Sequence, residues 1–289
     1  MRLTRRVFAA AAVASAVALG GASSAHSQVI EELHAALPQE YRDNGIDVAV
    51  FNDWPPDEYV ENGELKGWSV ELAREISERL GVEFHFAPIG FDGIIPGLVG
   101  GRYDLGVSSF GATEERLQSL DFIAQRYAGT GFAVKAGSDL ELATEEDLCG
   151  TSVAIIAGSW DHQLLEGMNT DVCAAQQLEP IDIQQFPTQA AAELSVTSGR
   201  TDSTAAASAK LRFLAQQTGD FDVETLVVEA VLSCLGVRRG DPLGPIITDA
   251  IQAIIDDGTY MEIMTRWGLE DDGPIDQARL ITAENFAAE

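Results

Sequence analysis

Between residues 46 and 108 the chain alternates β-rich apolar runs with helical periodicity, and few folds accept that order. Residues 46–51 read as a strand. Residues 69–80 place Val70, Leu72, Ala73, Ile76 and Leu80 on one helical face, and Gly81 stops the helix. Residues 82–86 read as a second strand, 94–99 as a helix closed by Gly100 and Gly101, and 103–108 as a third strand. Strand, helix, strand, helix, strand predicts a parallel sheet with right-handed crossovers. The pattern then restarts: strand 152–156, a helix opened by Gly158 and Ser159, strand 181–186, helix 189–198. Gly199-Arg200-Thr201-Asp202 echoes Gly101-Arg102-Tyr103-Asp104, and each follows a helix and enters a strand or strand-like run. Two α/β lobes of related layout are expected. Residues 127–134 read as a strand leaving one lobe and 227–237 as a strand returning, followed by helices at 246–255 and 259–267. A short helix precedes residue 46, Pro55-Pro56 implies a rigid extended loop presenting Trp54, and Asn62-Gly63 marks a hairpin tip.

The chain has 289 residues and a formal net charge of −28 at pH 7. Such an acidic chain lacks the basic face that nucleic acids require, so no nucleic-acid partner is expected. Arg5-Arg6 followed by an apolar run at 9–19 and small residues up to Ser27 reads as a twin-arginine secretory signal, residues 1–27. No Cys follows the run, so a lipid anchor is not indicated, and no other segment is long and apolar enough to span a membrane. An exported chain can form disulfides. Cys149 and Cys173 flank one predicted strand and helix and are expected to pair, closing a loop worth about 3 kcal/mol. Cys234, in an apolar run, reads as a buried thiol. His34, His85 and His162 have no metal-ligand spacing, so neither metal nor cofactor is expected.

The run 103–122 carries the first chemical signal. An apolar strand breaks into Ser108, Ser109, Gly111 and Ala112 and then reaches Thr113-Glu114-Glu115-Arg116. Small residues admit a ligand close to the backbone, hydroxyls and free amides bind anions, and Arg116 offers a planar fork for a carboxylate. The same residues also describe an ordinary strand-to-helix turn with Thr113 as N-cap and Arg116 on the surface. The run Gly106 to Phe110 fails the nucleophile-elbow pattern at its last position, which argues against a hydrolase.

Pro55-Pro56-Asp57-Glu58-Tyr59, Gly67-Trp68-Ser69-Val70-Glu71-Leu72, Gly93-Ile94-Ile95-Pro96-Gly97-Leu98, Gly101-Arg102-Tyr103-Asp104-Leu105, Thr113 to Arg116 with Asp121-Phe122, and Asp257-Gly258-Thr259-Tyr260 with Arg266-Trp267-Gly268-Leu269 stand in that order. Together they resemble the extracellular solute-binding proteins of family 3, which serve ABC transporters for polar amino acids. The resemblance implies an α/β, two-lobed periplasmic-binding-protein fold (type II). Each lobe would be a mostly parallel sheet flanked by helices, with two crossover strands as hinge. Lobe 1 would comprise residues 28–131 and 233–289, and lobe 2 residues 132–232. It also implies a secreted or periplasmic monomer, not an enzyme, that delivers a small carboxylate-bearing polar solute to the membrane permease of an ABC importer.

Residue by residue, Arg116 matches the arginine that clamps the ligand carboxylate, and Ser109 and Gly111 match positions lending backbone or hydroxyl groups. Trp54 and Phe91 match aromatics that sandwich the ligand, and Gly158 and Ser159 a lobe-2 turn whose amides face the carboxylate. Two departures stand out. Gly111 replaces the usual Ser or Thr, and Ala207 falls where the family places the aspartate that pairs with the ligand ammonium. Asp53 and Asp161 are the acids that could take over that role; Asp53 could equally close a turn, Asp161 could serve the helix dipole, and Trp160 could pack or face the cleft. Alternatives in function are an enzyme resembling the dehydratases that act on cyclic acids on this scaffold, with Asp53 or Asp161 as acid or base, and a solute sensor.

Overall fold

The structure, a computed structural model, describes residues 29–286; the expected signal lies outside them. In chain order the elements are α1 (Glu31–Ala36), α2 (Gln39–Asn44), β1 (Ile46–Phe51), β2 (Asp53–Trp54), β3 (Glu58–Glu61), β4 (Glu64–Lys66), α3 (Trp68–Leu80), β5 (Phe84–Ile89), α4 (Phe91–Val99) and β6 (Leu105–Gly111). Then come β7 (Leu120–Lys135), β8 (Ser152–Ile156), α5 (Trp160–Met168), β9 (Asp182–Phe186), α6 (Gln189–Thr197), β10 (Ser203–Ala207), α7 (Ser208–Thr218) and β11 (Phe221–Arg238). The chain closes with α8 (Leu243–Asp256), α9 (Thr259–Arg266) and β12 (Leu280–Ile281).

The main sheet runs β5-β1-β6-β11-β7-β10-β8-β9, with β12 on β7. Its two ends are parallel trios, β5-β1-β6 and β10-β8-β9. The trios have one layout: the first strand is central, and the crossover through a helix returns beside it on either flank, as right-handed βαβ units do. The repeated tetrapeptide has a matching role in each. Asp104 accepts the amide of Asp47 at the start of β1 (3.1 Å), and Asp202 accepts the amide of Ser152 at the start of β8 (2.8 Å). Each aspartate ties the third strand of its trio to the central one.

Between the trios lie β7 and β11, long antiparallel strands that belong to both lobes. Residues 130–134 of β7 pair with β10, while 120–126 pair with the end of β11, whose 233–237 in turn pair with β6. Their ladder slips between Val228 and Val231, where Gly129 alone faces two residues. A β-carbon on Gly129 would lie 2.5 Å from Val227 Cγ1, so the close approach at this bulge requires glycine. The lobe-1 core gathers β1, α3, α8 and α9 around Trp68, Ile76, Ile247 and Tyr260, and the lobe-2 core gathers Phe132, Val153, Ile155 and Leu165.

One expectation is corrected, and others are met. The prolines do not extend a loop: residues 55–57 turn β2 into β3, with Asp57 N–H donating to Trp54 O, so Trp54 sits on a hairpin. Asn62 and Gly63 at φ 54° and 82° form the tip of the next hairpin, as that dipeptide favours. Beyond the last expected helix, β12 adds a short strand against β7. Cys149 and Cys173 are bonded, and Cys234 is buried as a free thiol. Intact-mass analysis after alkylation in denaturant without reductant should show one modified thiol, and Cys149→Ala/Cys173→Ala should lose about 3 kcal/mol of stability. Three modified thiols would contradict the pairing.

Candidate functional site

The ends of the strands meet across a cleft. β1 and β6 stop at its lobe-1 wall, β8 and β10 at its lobe-2 wall, and the bulged middle of β7 and β11 forms its floor. The cavity there holds about 590 Å³ of empty space, open water at its mouth included. From lobe 1 it is lined by Phe51, Trp54, Phe91, Ser108, Ser109, Gly111 and Arg116; from lobe 2 by Ile156, Ser159, Trp160, Asp161 and Ala207. Ala128, Gly129, Thr130, Val231, Leu232 and Ser233 come from the crossing strands.

Arg116 opens a single 3-10 turn with Glu115, not Thr113, at the N-cap position, although the Arg116 amide donates to Thr113 Oγ1 at 3.2 Å. Its side chain is not on the surface. Nη1 donates to the carbonyl of Gly111 and Nη2 to that of Gly158, each at 2.8 Å, which ties the end of β6 to the turn after β8. Phe91 lies beside the guanidinium, 6.0 Å from ring centre to Cζ. Burial lowers the Arg116 pKa from its ordinary value, opposed by the charges of Glu115 and Asp161. Two carbonyls occupy two of five N–H groups, so the fork retains donors for an anion.

Asp161 lies in the first turn of α5, where a carboxylate favours the helix dipole. It is 5% exposed and accepts a hydrogen bond from Thr130 Oγ1 at 2.9 Å. Burial raises its pKa against the hydrogen bonds and the Arg116 charge that favour ionisation. Ser109 is committed backwards: its hydroxyl donates to Asp57 at 2.5 Å and its amide to Glu58 at 3.2 Å. Two expected residues do not line the cavity. Asp53 reaches lobe 2 instead, accepting the Ala190 amide of α6 at 3.4 Å, and Gly158 borders an adjoining groove with its carbonyl held by Arg116.

Behind Ser109 is a buried polar cluster. Arg126 is fully buried; it bridges Asp57 (3.3 Å) and Asp272 (3.2 Å) and lies over the Trp68 ring. Burying an ion costs several kcal/mol unless it is paired, which this arrangement supplies. Glu58 is also fully buried, and its Oε2 has no hydrogen-bond partner among the described residues. Burial, and then the charge of Asp57, push its pKa well above the carboxylate range.

Such a paired-lobe α/β structure, with its cavity between strand ends and two strands shared by the lobes, defines a two-lobed solute-binding protein. Residues 46–270 match the profile of the bacterial extracellular solute-binding proteins, family 3, and the chain belongs to that family. Similar proteins include the arginine-binding protein ArgT of Corynebacterium glutamicum, 29% identical over 253 residues that cover 86% of this chain and 82% of that protein. The L-cystine-binding protein TcyJ of Escherichia coli is 25% identical over 76% of this chain and 81% of its own length. Among solved structures, a P235GK mutant of the arginine-binding protein of T. maritima superposes with a TM-score of 0.71 at 28% identity, covering 80% of this chain and 98% of that one. An ancestral amino acid-binding protein, AncCDT-1, described as a precursor of cyclohexadienyl dehydratase, gives 0.69 at 26% identity, covering 79% and 98%. Among the described residues no helix is long and apolar enough to cross a membrane.

Thr130, Leu232 and Ser233 were not marked by the sequence as site residues. They lie near the bulge, on crossing strands that the sequence reading did not join to the site.

An acid whose folded pKa is raised stabilises the fold fully below its unfolded pKa and loses that contribution as pH rises through the folded value. Glu58→Gln should therefore gain on the wild type as pH rises from 4 to 8, by about 1–3 kcal/mol at the upper end. Thermal or denaturant unfolding across that range checks it; a pH-independent difference would contradict it.

Proposed function

We propose that the protein captures a small carboxylate-bearing polar solute, an amino acid or amino-acid derivative, between its lobes and delivers it to the membrane permease of an ABC importer. The observation that carries this reading is Arg116, a half-buried cation at the cleft that touches both lobes and keeps donors free for a carboxylate. Trp54 and Phe91 supply apolar faces to the solute, and Ser109, Gly111, Gly158, Ser159 and Asp161 complete the neighbourhood. Asp53 joins the lobes at the rim. The names of the relatives, which bind arginine or cystine, support an amino-acid-like solute.

In this reading residues 1–27 direct export through a twin-arginine route, and the mature chain acts as a monomer. Lobe 1 is residues 28–131 with 233–289 and lobe 2 is 132–232, hinged where β7 and β11 pass between them. The protein carries its solute without turning it over. The dehydratase alternative would require a cleft acid that transfers a proton; Asp161 is the candidate, and product formation from a released solute would identify it.

Mass spectrometry of small molecules released from the purified, denatured protein names the solute, and calorimetry then measures it. A carboxylate solute bound one-to-one is expected. Arg116→Ala should weaken it by about 2–5 kcal/mol, the cost of removing one partner of a desolvated charged pair. Arg116→Lys should restore little, since Lys lacks the planar fork. Near-wild-type affinity in Arg116→Ala would place the anion elsewhere.

A further inference from the structure

Ala207 lines the cavity at the place where the family resemblance implies an aspartate. The matching layout of the two lobes makes it the counterpart of Ser109: each follows, at the same spacing, the aspartate that ties its trio together. Lobe 2 nevertheless presents an acid to the cavity from another element. Asp161 of α5, 5% exposed, and Arg116 are the two charged residues among the described lining. They are close enough to act on each other electrostatically, and together they are neutral, so a net-neutral zwitterion with nearby charges complements them.

The cavity that Asp161 lines also carries aromatic rings. Trp160, its chain neighbour, packs across Gly111; a β-carbon there would stand 3.1 Å from the indole. The serine or threonine expected at 111 would press on this ring and require it to shift, so the glycine at 111 and the ring at 160 form one arrangement. Trp54, Phe91 and Phe51 face the same space from lobe 1. Among the buried polar atoms of residues that line it, Trp54 Nε1 (7% exposed), Ser159 Oγ (8% exposed) and Ser233 Oγ (2% exposed) have no hydrogen-bond partner among the described residues. Buried groups without partners are uncommon, and these mark a ligand's polar end. Trp54 Nε1 can only donate, which suits the carboxylate end beside Arg116.

Building on the carrier reading, we propose that Trp160 and Asp161 form the seat for the ligand's positive charge, in place of a carboxylate at residue 207, and that the seat takes a quaternary ammonium borne by a small carboxylate zwitterion. A primary ammonium has three N–H groups, each requiring an acceptor once buried. The seat supplies one carboxylate, already accepting from Thr130, and the Trp160 ring, while Trp54 and Phe91 nearby already lie against Lys210 and Arg116. An alkylated cation needs no acceptors; it gains from the Trp160 ring and from the opposite charge of Asp161.

The test is calorimetric titration of the purified protein with glycine, proline and arginine, each beside its Nα-permethylated counterpart. The permethylated member of at least one pair should bind about tenfold or more tightly than its parent, a difference of about 1.4 kcal/mol. Asp161→Asn and Trp160→Leu should each weaken that solute by about tenfold or more, whereas Trp160→Phe keeps a ring and most of the affinity. Unchanged thermal unfolding of the unliganded variants shows that the fold is retained. Tighter binding of a free amino acid, or unaltered affinity in Asp161→Asn, overturns the seat and leaves the carrier reading standing. Binding by neither member of any pair overturns the seat; if the purified protein also releases no carboxylate solute, the carrier reading falls with it.

Discussion

The antiparallel pairing of β7 with β11 holds the two lobes in one sheet, and the rest of the molecule is arranged around it. Each strand gives one half of its length to each lobe, so neither parallel trio closes its core without them. A ladder this long would normally be regular, yet it slips where Gly129 faces two residues. Thr130, beside the bulge, and Ser233, at a further slip of the same ladder, both line the cleft. Joining the lobes and shaping the cavity are therefore one structural feature.

Charge is handled differently in front of and behind that floor. Behind it, Arg126 is enclosed by Asp57 and Asp272, a pairing internal to lobe 1 that fixes the first hairpin and the C-terminal segment against β7. Arg212 of α7 reaches the same Asp272 at 2.9 Å, and Tyr59 of β3 lies against Phe213, so lobe 2 also docks on this cluster. In front, Arg116 and Asp161 face the cavity with hydrogen bonds to backbone carbonyls and to a hydroxyl rather than to each other. A buried charge without an ionic partner is costly. In the proposed carrier, a ligand of matching charge would relieve that cost.

The sequence reveals the trios more clearly than the strands that join them. Apolar periodicity locates β1, β8 and α3 to within a residue or two, and the Gly-Arg-x-Asp echo reports a real correspondence, since Asp104 and Asp202 make matching bonds. β7 is under-read, as 127–134 instead of Leu120–Lys135, because Gln125 and Arg126 interrupt the apolar pattern although both are fully buried. α7 escapes notice because β10 runs straight into it at Ala207 and Ser208 with no turn residue between them. At the site, side chains with distinctive chemistry were legible: Arg116, Trp54, Phe91 and Asp161 converge as the motifs suggest. Asp53 was not, because whether a carboxylate at a strand end points inward depends on the hairpin that the prolines fold. Thr130 and Ser233 lie beside slips of the ladder that no local pattern announces.

In the proposed carrier, lobe movement about β7 and β11 serves both capture and release. Val99 of α4 in lobe 1 and Leu194 of α6 in lobe 2 are 52% and 67% exposed, and cysteines placed there can carry spin labels without disturbing either core. Pulsed electron-spin distance measurements on the Val99→Cys/Leu194→Cys protein, with and without the solute released from the wild type, read the separation of the lobes. The account predicts a shift to a shorter and narrower distance distribution when the solute binds. A distribution that is the same in both conditions would contradict a site built from both lobes.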